Sequence, residues 1–264
     1  MIEQKRHNIA DLCLERGRSG VVRRRGVRVR RLDSLRRDAP SGVEPSNAIP
    51  DVFFGRGATD ALALIAATGA CTRTALAAAR NRSVSSVGRM IKRFGRAGIV
   101  ILNHAEPGDP VTISLDPFNP VFPEMLVFLH ELARNRGVTP RTVLPRRSSS
   151  TSLLKLRQFA KRANRLFGGV VRTQVLLLLV SSPNGANASD IARVLGARPG
   201  VVRIAFDELE TMGIIVSRFV GRDRVACLNE AFEAAPEFRD LLLALVDRVY
   251  PHMRGLAKVL RTGL

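Results

Sequence analysis

Two stretches of the chain carry the same succession of apolar and polar positions. In the first, residues 60–68 are apolar over a helical length and break at Thr68-Gly69. A short segment around Leu76 and Ala77 follows. Val87, Ile91 and Phe94 then recur at the three-to-four spacing of one buried helix face, in a helix expected over 85–97. In the second stretch residues 172–181 are apolar and the break is Ser182-Pro183-Asn184-Gly185. Ile191 and Ala192 mark the short helix, and Val202, Phe206 and Leu209 repeat the spacing over 199–212. Ser189 is expected to cap the second short helix and Gly196 to end it, while Thr72 or Thr74 caps the first. Gly98 and Gly213 stand where the third helices stop, in the left-handed conformation that glycine adopts without strain.

A β-branched run follows each of these glycines, at Ile99 to Leu102 and Ile214 to Ser217. Each leads through a turn to a second strand. The turn is long in the first stretch (His104 to Pro110) and short in the second (Gly221-Arg222-Asp223). At an offset of 115 residues Leu76-Ala77 falls on Ile191-Ala192, Val87 on Val202, Ile91 on Phe206, Phe94 on Leu209 and Gly98 on Gly213. Small gaps bring Phe54-Gly55 onto Phe167-Gly168, Leu115-Asp116 onto Leu228-Asn229, and 120–126 onto 236–242. A shared order of landmarks over some 80 residues marks a duplicated domain.

Helix, short helix, helix, hairpin is the order of a winged helix-turn-helix. The fold expected is therefore mainly α with small β-hairpin wings, an α+β chain of two tandem winged helix-turn-helix domains. The first domain spans 51–133 and the second 166–264, which closes with amphipathic helices over 238–260 interrupted by Pro251. Residues 134–165 form a basic linker. Its helix from Leu153 to Leu166 carries an apolar stripe (Leu153, Leu156, Phe159, Ala160, Ala163) beside Lys155, Arg157, Lys161, Arg162 and Arg165, and is expected to pack on the second domain with its cations along DNA. Residues 1–50 are an Arg-rich leader, expected to be disordered.

Charge sharpens this picture. The chain of 264 residues has a net charge of +19. The two domains are nearly balanced, with 8 Lys/Arg against 7 Asp/Glu in 51–133 and 12 against 10 in 166–264. The leader has 12 against 6 and the linker 10 against none, so the excess sits in these connecting stretches. Such stretches either solubilise the chain or grip a polyanion diffusely, and the pattern of the neutral domains favours a grip on nucleic acid phosphates.

Cys13, Cys71 and Cys227 are odd in number and match no metal-ligand spacing, as expected of free thiols in a reducing cytosol. No apolar run reaches the roughly 18 residues of a spanning helix, so no membrane partner is expected. His7, His104, His130 and His252 are isolated, and Gly-rich phosphate loops, Gly-X-Ser-X-Gly and Cys-X-X-Cys are absent. The chain reads as a binder rather than an enzyme, with no cofactor and no metal.

With these residues in hand, the chain resembles the winged-helix regulators related to the ArsR-type repressors, particularly the small domains attached to or found beside nucleotidyltransferases. The resemblance rests on Phe54-Gly55 and Phe167-Gly168-Gly169 before the first helices, on Ile191-Ala192, and on Met212-Gly213-Ile214. It also rests on Asp116-Pro117-Phe118-Asn119-Pro120 and Phe122-Pro123-Glu124-Met125 after the first hairpin, and covers about two-thirds of the chain. It implies DNA binding by a cytoplasmic, nucleoid-associated transcriptional regulator. The paired aspartates of nucleotidyl transfer and the Cys cluster of metal sensing are missing, so neither activity is carried over.

In a winged helix the third helix enters the major groove. The face opposite Val87, Ile91 and Phe94 presents Ser85, Ser86, Arg89, Lys92, Arg93 and Arg96, with no acid in the helix. Arginine suits bidentate contact to guanine, and serine bonds either bases or phosphates. The second helix instead mixes Arg198 and Arg203 with Asp207, Glu208 and Glu210, and carboxylates repel phosphates. Its hairpin, with Arg218, Arg222 and Arg224, is the better candidate for backbone or minor-groove contact, whereas the first hairpin carries Glu106 and Asp109. The expected partner is double-stranded DNA. Two alternatives stay open: the C-terminal helices either form a homodimer or are buried within the chain, and a protein partner, such as a toxin-like enzyme, uses this chain as an adaptor that attaches to DNA non-specifically through its basic tails.

Overall fold

The computed structural model describes residues 52–53, 57–103, 110–140 and 153–262. The leader (with Cys13 and His7), Phe54-Gly55, the first hairpin's tip with His104, Glu106 and Asp109, and the Ser-rich part of the linker lie outside the described residues. The fold mixes α-helices with two small antiparallel three-stranded sheets.

The first repeat runs α1 (Ala58–Thr68), β1 (Cys71–Thr72), α2 (Arg73–Ala79), α3 (Val84–Arg96), β2 (Val100–Asn103), β3 (Thr112–Leu115) and α4 (Phe122–Arg134). After the linker helix α5 (Leu153–Ala163), the second repeat runs α6 (Val170–Val180), β4 (Ala186–Asn187), α7 (Ala188–Leu195), α8 (Pro199–Thr211), β5 (Ile215–Val220), β6 (Asp223–Leu228) and α9 (Ala235–Arg248). Helix α10 (His252–Thr262) follows, beyond the break at Pro251. Strand order is β1-β3-β2 in one sheet and β4-β6-β5 in the other, so the duplication extends to topology.

Local chemistry explains why the elements begin and end where they do. Thr72 Oγ1 accepts from the Ala75 amide and Ser83 Oγ from the Ser86 amide, each at a helix N-terminus that would otherwise leave its donors unpaired. In the second repeat the cap is Asn187, whose side chain accepts from the Asp190 amide, rather than Ser189, which lies inside α7. Asn187 also pairs in β4, so one residue closes a strand and opens a helix. Asp223 likewise belongs to β6, opposite Val220, leaving Gly221-Arg222 as a two-residue turn.

The entry to the first helix corrects the repeat register by one residue. The Phe167 amide donates to Thr173 Oγ1, and the matching bond in the first repeat runs from Phe53 to Thr59, making Phe53 the counterpart of Phe167. These two rings stack on each other, with centroids 5.6 Å apart. Phe128 of α4 meets Phe53 at 5.9 Å and Phe238 of α9 at 5.2 Å, so an aromatic cluster joins the repeats. Helices α4 and α9, equivalent in the two repeats, pack antiparallel. The Arg248 guanidinium near the end of α9 forks onto Glu124 near the start of α4, at 2.7 and 3.0 Å. Both repeats thus lie within one compact unit, Ile49–Leu264.

Of the two roles open to the C-terminal helices, dimerisation and burial within the chain, their apolar faces take the second. Phe238, Leu241, Leu242 and Leu245 of α9 are buried within the chain, as are Met253 and Ala257 of α10. Helix α5 touches both repeats rather than the second alone. Its buried Phe159 faces Gly98, and the Tyr250 hydroxyl donates to the Ala160 carbonyl at 2.8 Å. Lys161, Arg162 and Arg165 remain exposed.

Candidate nucleic-acid interface

The amphipathic character of α3 sorts its residues into two faces. Val87, Ile91 and Phe94 are buried, and Ser85, Arg89, Lys92, Arg93 and Arg96 are exposed, with Ser86 half-buried near the cap. The four cations make no ion pair among the described residues. Ser85 exchanges a hydroxyl hydrogen bond of 3.1 Å with the capping Ser83, which leaves part of its hydrogen-bonding capacity for a ligand. Arg73, exposed at the start of α2, lies across the backbone of Gly88 in the middle of α3. It enlarges the basic face, and exposed Arg82 stands one residue ahead of the capping Ser83. Apolar periodicity could not assign these two residues, because it says which face is buried and not what neighbouring elements add to the other one. Arg80, close in sequence, is held by Asp60 at 3.1 Å and takes no part.

Helix α8 buries Val202, Ala205, Phe206 and Leu209, the same pattern, but its outer face is chemically different. All three of its acids are held within the chain. Arg224 of β6 donates to Asp207 at 2.6 Å and also to Glu210, while Arg172 of α6 reaches Glu208 at 3.1 Å. Glu210 accepts the Ser217 amide as well, at 3.0 Å. The hydrogen bond to Asp207 is the largest cause that holds the Arg224 guanidinium above its ordinary pKa; burial opposes it, and the nearby Glu210 charge adds a smaller push upward. Of the basic residues read from the sequence on this side, Arg203, Arg218 and Arg222 are exposed, and Arg224 is engaged inside the chain. Between them lie apolar side chains that the sequence reading passed over: Val201 and Ile204 on α8, and Phe219 and Val220 at the hairpin end.

Elsewhere, a cleft of about 610 Å³ opens between the end of α6, the β5–β6 hairpin and the start of α9, lined in part by Val180, Ser182, Val216, Cys227 and Phe238. Among the described residues no group of three or more His, Cys, Asp or Glu side chains is placed to hold a metal ion. None of the described helices is long and apolar enough to cross a membrane. No protein-family model, curated protein or solved structure matches the chain.

Proposed function

We propose that this protein is a tandem winged helix-turn-helix transcriptional regulator that binds double-stranded DNA. Helix α3 acts as the major-groove reader, and the β5–β6 hairpin is a second contact through Arg218 and Arg222. The observation that carries this reading is the solvent face of α3. Arg89, Lys92, Arg93 and Arg96 line it with no acid in the helix and no ion-pair partner among the described residues. A purely solvated helix face normally mixes signs, and four unpaired cations beside Arg73 and Arg82 suit a phosphate-flanked groove. The exposed cations of α5 add to the same field.

A second reading is favoured by a different observation. Ile204 is 59% exposed on α8, next to acids already neutralised by Arg224 and Arg172, as on a helix that docks another protein. In that case the basic stretches hold DNA without sequence preference.

Fluorescence anisotropy on duplexes from the DNA upstream of the protein's own gene, with a scrambled control and a salt series, separates the two. The regulator reading expects a preference for the native duplex that persists at moderate salt and disappears in an Arg89→Ala/Arg93→Ala variant. Equal binding to both duplexes, steep in salt and unchanged by the substitutions, sinks it and favours the adaptor.

A further inference from the structure

We propose that the β5–β6 hairpin is a wedge that enters the minor groove of duplex DNA and unstacks a base step with the Phe219 ring. This rests on the DNA-binding reading above and adds a deformation of the duplex to it. Phe219 is 77% exposed and Val220, beside it, 55%, so the hairpin presents two adjacent large apolar side chains to solvent at its far end. Two exposed arginines flank them: Arg218 one residue before, and Arg222 in the two-residue turn where Gly221 takes a positive φ of +63°. Arg218 and Val220 lie on the opposite face of the ribbon from the ring, so a ribbon inserted edge-on would set Phe219 against the bases and Arg218 and Arg222 toward the flanking phosphates. Minor-groove proteins that kink DNA use this pairing of apolar wedge and arginine.

A lone exposed aromatic would carry little weight, since single apolar side chains are common on surfaces. What distinguishes this one is its support. Phe219 pairs across the ladder with Arg224, so the two side chains share a face of the sheet, as does Ser217 two residues earlier. Both neighbours are tied to α8: Arg224 to Asp207 and Glu210, and the Ser217 amide to Glu210. The ribbon is therefore braced against the helix at the ring's own residue pair and again two pairs further in. Separating stacked bases needs a stiff element, because a pliant hairpin would bend away instead. The brace also gives a role to carboxylates that are otherwise out of place near DNA. Asp207 and Glu210 spend their charge on the arginine that holds the wedge.

The test uses the full chain and duplexes from its upstream DNA with 2-aminopurine placed at successive steps, since this base brightens when unstacked. Wild type is expected to raise the fluorescence severalfold at one step and to bend the duplex, read by energy transfer between end labels. Phe219→Ala should abolish the rise and the bend and weaken binding about tenfold. Phe219→Leu, still an apolar wedge, should keep part of both signals, and Arg224→Gln should reduce them by loosening the brace. Circular dichroism melts of each variant exclude unfolding as the cause. Wild-type binding with no fluorescence change at any step, or a change that Phe219→Ala retains, overturns the wedge and leaves the reading of α3 intact. Absence of duplex binding by wild type overturns both, and points to a protein pocket as the seat of Phe219.

Discussion

Helices α3 and α8 are the same element twice: 13 residues each, three or four buried side chains at matching positions, and a glycine at φ +70° one residue past the C-terminal cap. Their solvent faces differ in charge. One carries four cations with no partner among the described residues. The other carries three acids, each held by an arginine from another element. The fold dictates the buried face, because Val87, Ile91 and Phe94 must fit the packing that Val202, Phe206 and Leu209 fit. It leaves the outer face open, and there the repeats have diverged. Where the second repeat acquired carboxylates it also has the arginines that neutralise them, so its charge is turned inward, while the charge of the first is turned outward.

The comparison breaks if the repeats are independent domains, and the largest effect tests that. Phe128 is fully buried and its ring touches Phe53 of the first repeat and Phe232 and Phe238 of the second. Phe128→Ala should cost about 3–5 kcal/mol, as large-to-small changes in aromatic cores do. It should lower the midpoint of a single calorimetric transition. Two separate transitions, with only one displaced, would show that the aromatic contacts do not couple the repeats.

A smaller loss is expected at Gly185, where the second repeat turns from α6 into β4. Its φ is +79°, and a Cβ there would stand 2.5 Å from the Ala226 carbonyl oxygen, a backbone atom with no room to yield. Gly185→Ala combines left-handed strain with overpacking, about 3 kcal/mol together. Chemical denaturation with an unchanged m-value checks it, and a midpoint equal to wild type would mean that the turn rearranges at little cost.

Next in size is the exchange of solvent faces. Arg89→Glu/Arg93→Glu on α3 should weaken duplex binding about 100-fold, within the range expected for losing two base or phosphate contacts. Arg203→Glu, which adds an acid where α8 already has three, should weaken it less than about tenfold. Equal losses from the two helices, in anisotropy titrations at fixed salt, would erase the division of labour between them.

Much of this contrast is legible in the sequence, and what escapes has a physical reason. Periodicity locates α3 and α8 because a buried face must recur every three to four residues, and Gly98 and Gly213 mark their ends because few other residues tolerate that backbone. Strands β1 and β4 leave no periodic trace, being two residues long and paired to a distant hairpin. The Phe-Gly landmark ahead of each first helix marks the repeat to within one residue, without saying that Phe53 and Phe167 stack on each other. The bonds from Arg224 to Asp207 and Glu210 span 17 and 14 residues, beyond any local spacing rule, so the same residues read from sequence as a cation for DNA and two acids against it. The exposed Phe219 was hidden for the opposite reason. Inside a β-branched strand a phenylalanine suits a core position, and only the length of the hairpin beyond its pairing with β4 leaves it in solvent.

The smallest effect concerns the two described thiols, one in each repeat. Cys71 in β1 is paired with Ile113, and burial pushes its thiol up from 9.0 to about 11. Cys227 in β6 lines the cleft and turns its Sγ toward the Val216 carbonyl at 3.8 Å. Because the thiolate is the reactive form, a thiol pushed up to about 11 should be labelled by iodoacetamide at pH 8 about 100-fold more slowly in the folded chain than in urea. Equal rates in the two states would show a thiol that ionises freely. The same shift has a stability consequence. A group whose folded pKa lies above its unfolded value favours the folded state fully below the unfolded value and loses that contribution as pH rises to the folded one. For Cys71 the loss runs from about pH 9 to about pH 11. Tyr250 acts in the same direction from pH 10 upward, since burial also raises its phenol, and its bond to the Ala160 carbonyl requires the proton. Urea midpoints should therefore decline above pH 9, with Cys71→Ser flattening the first part of the decline and Tyr250→Phe only the later part. A decline that neither substitution alters would place the alkaline sensitivity outside both repeats' buried groups.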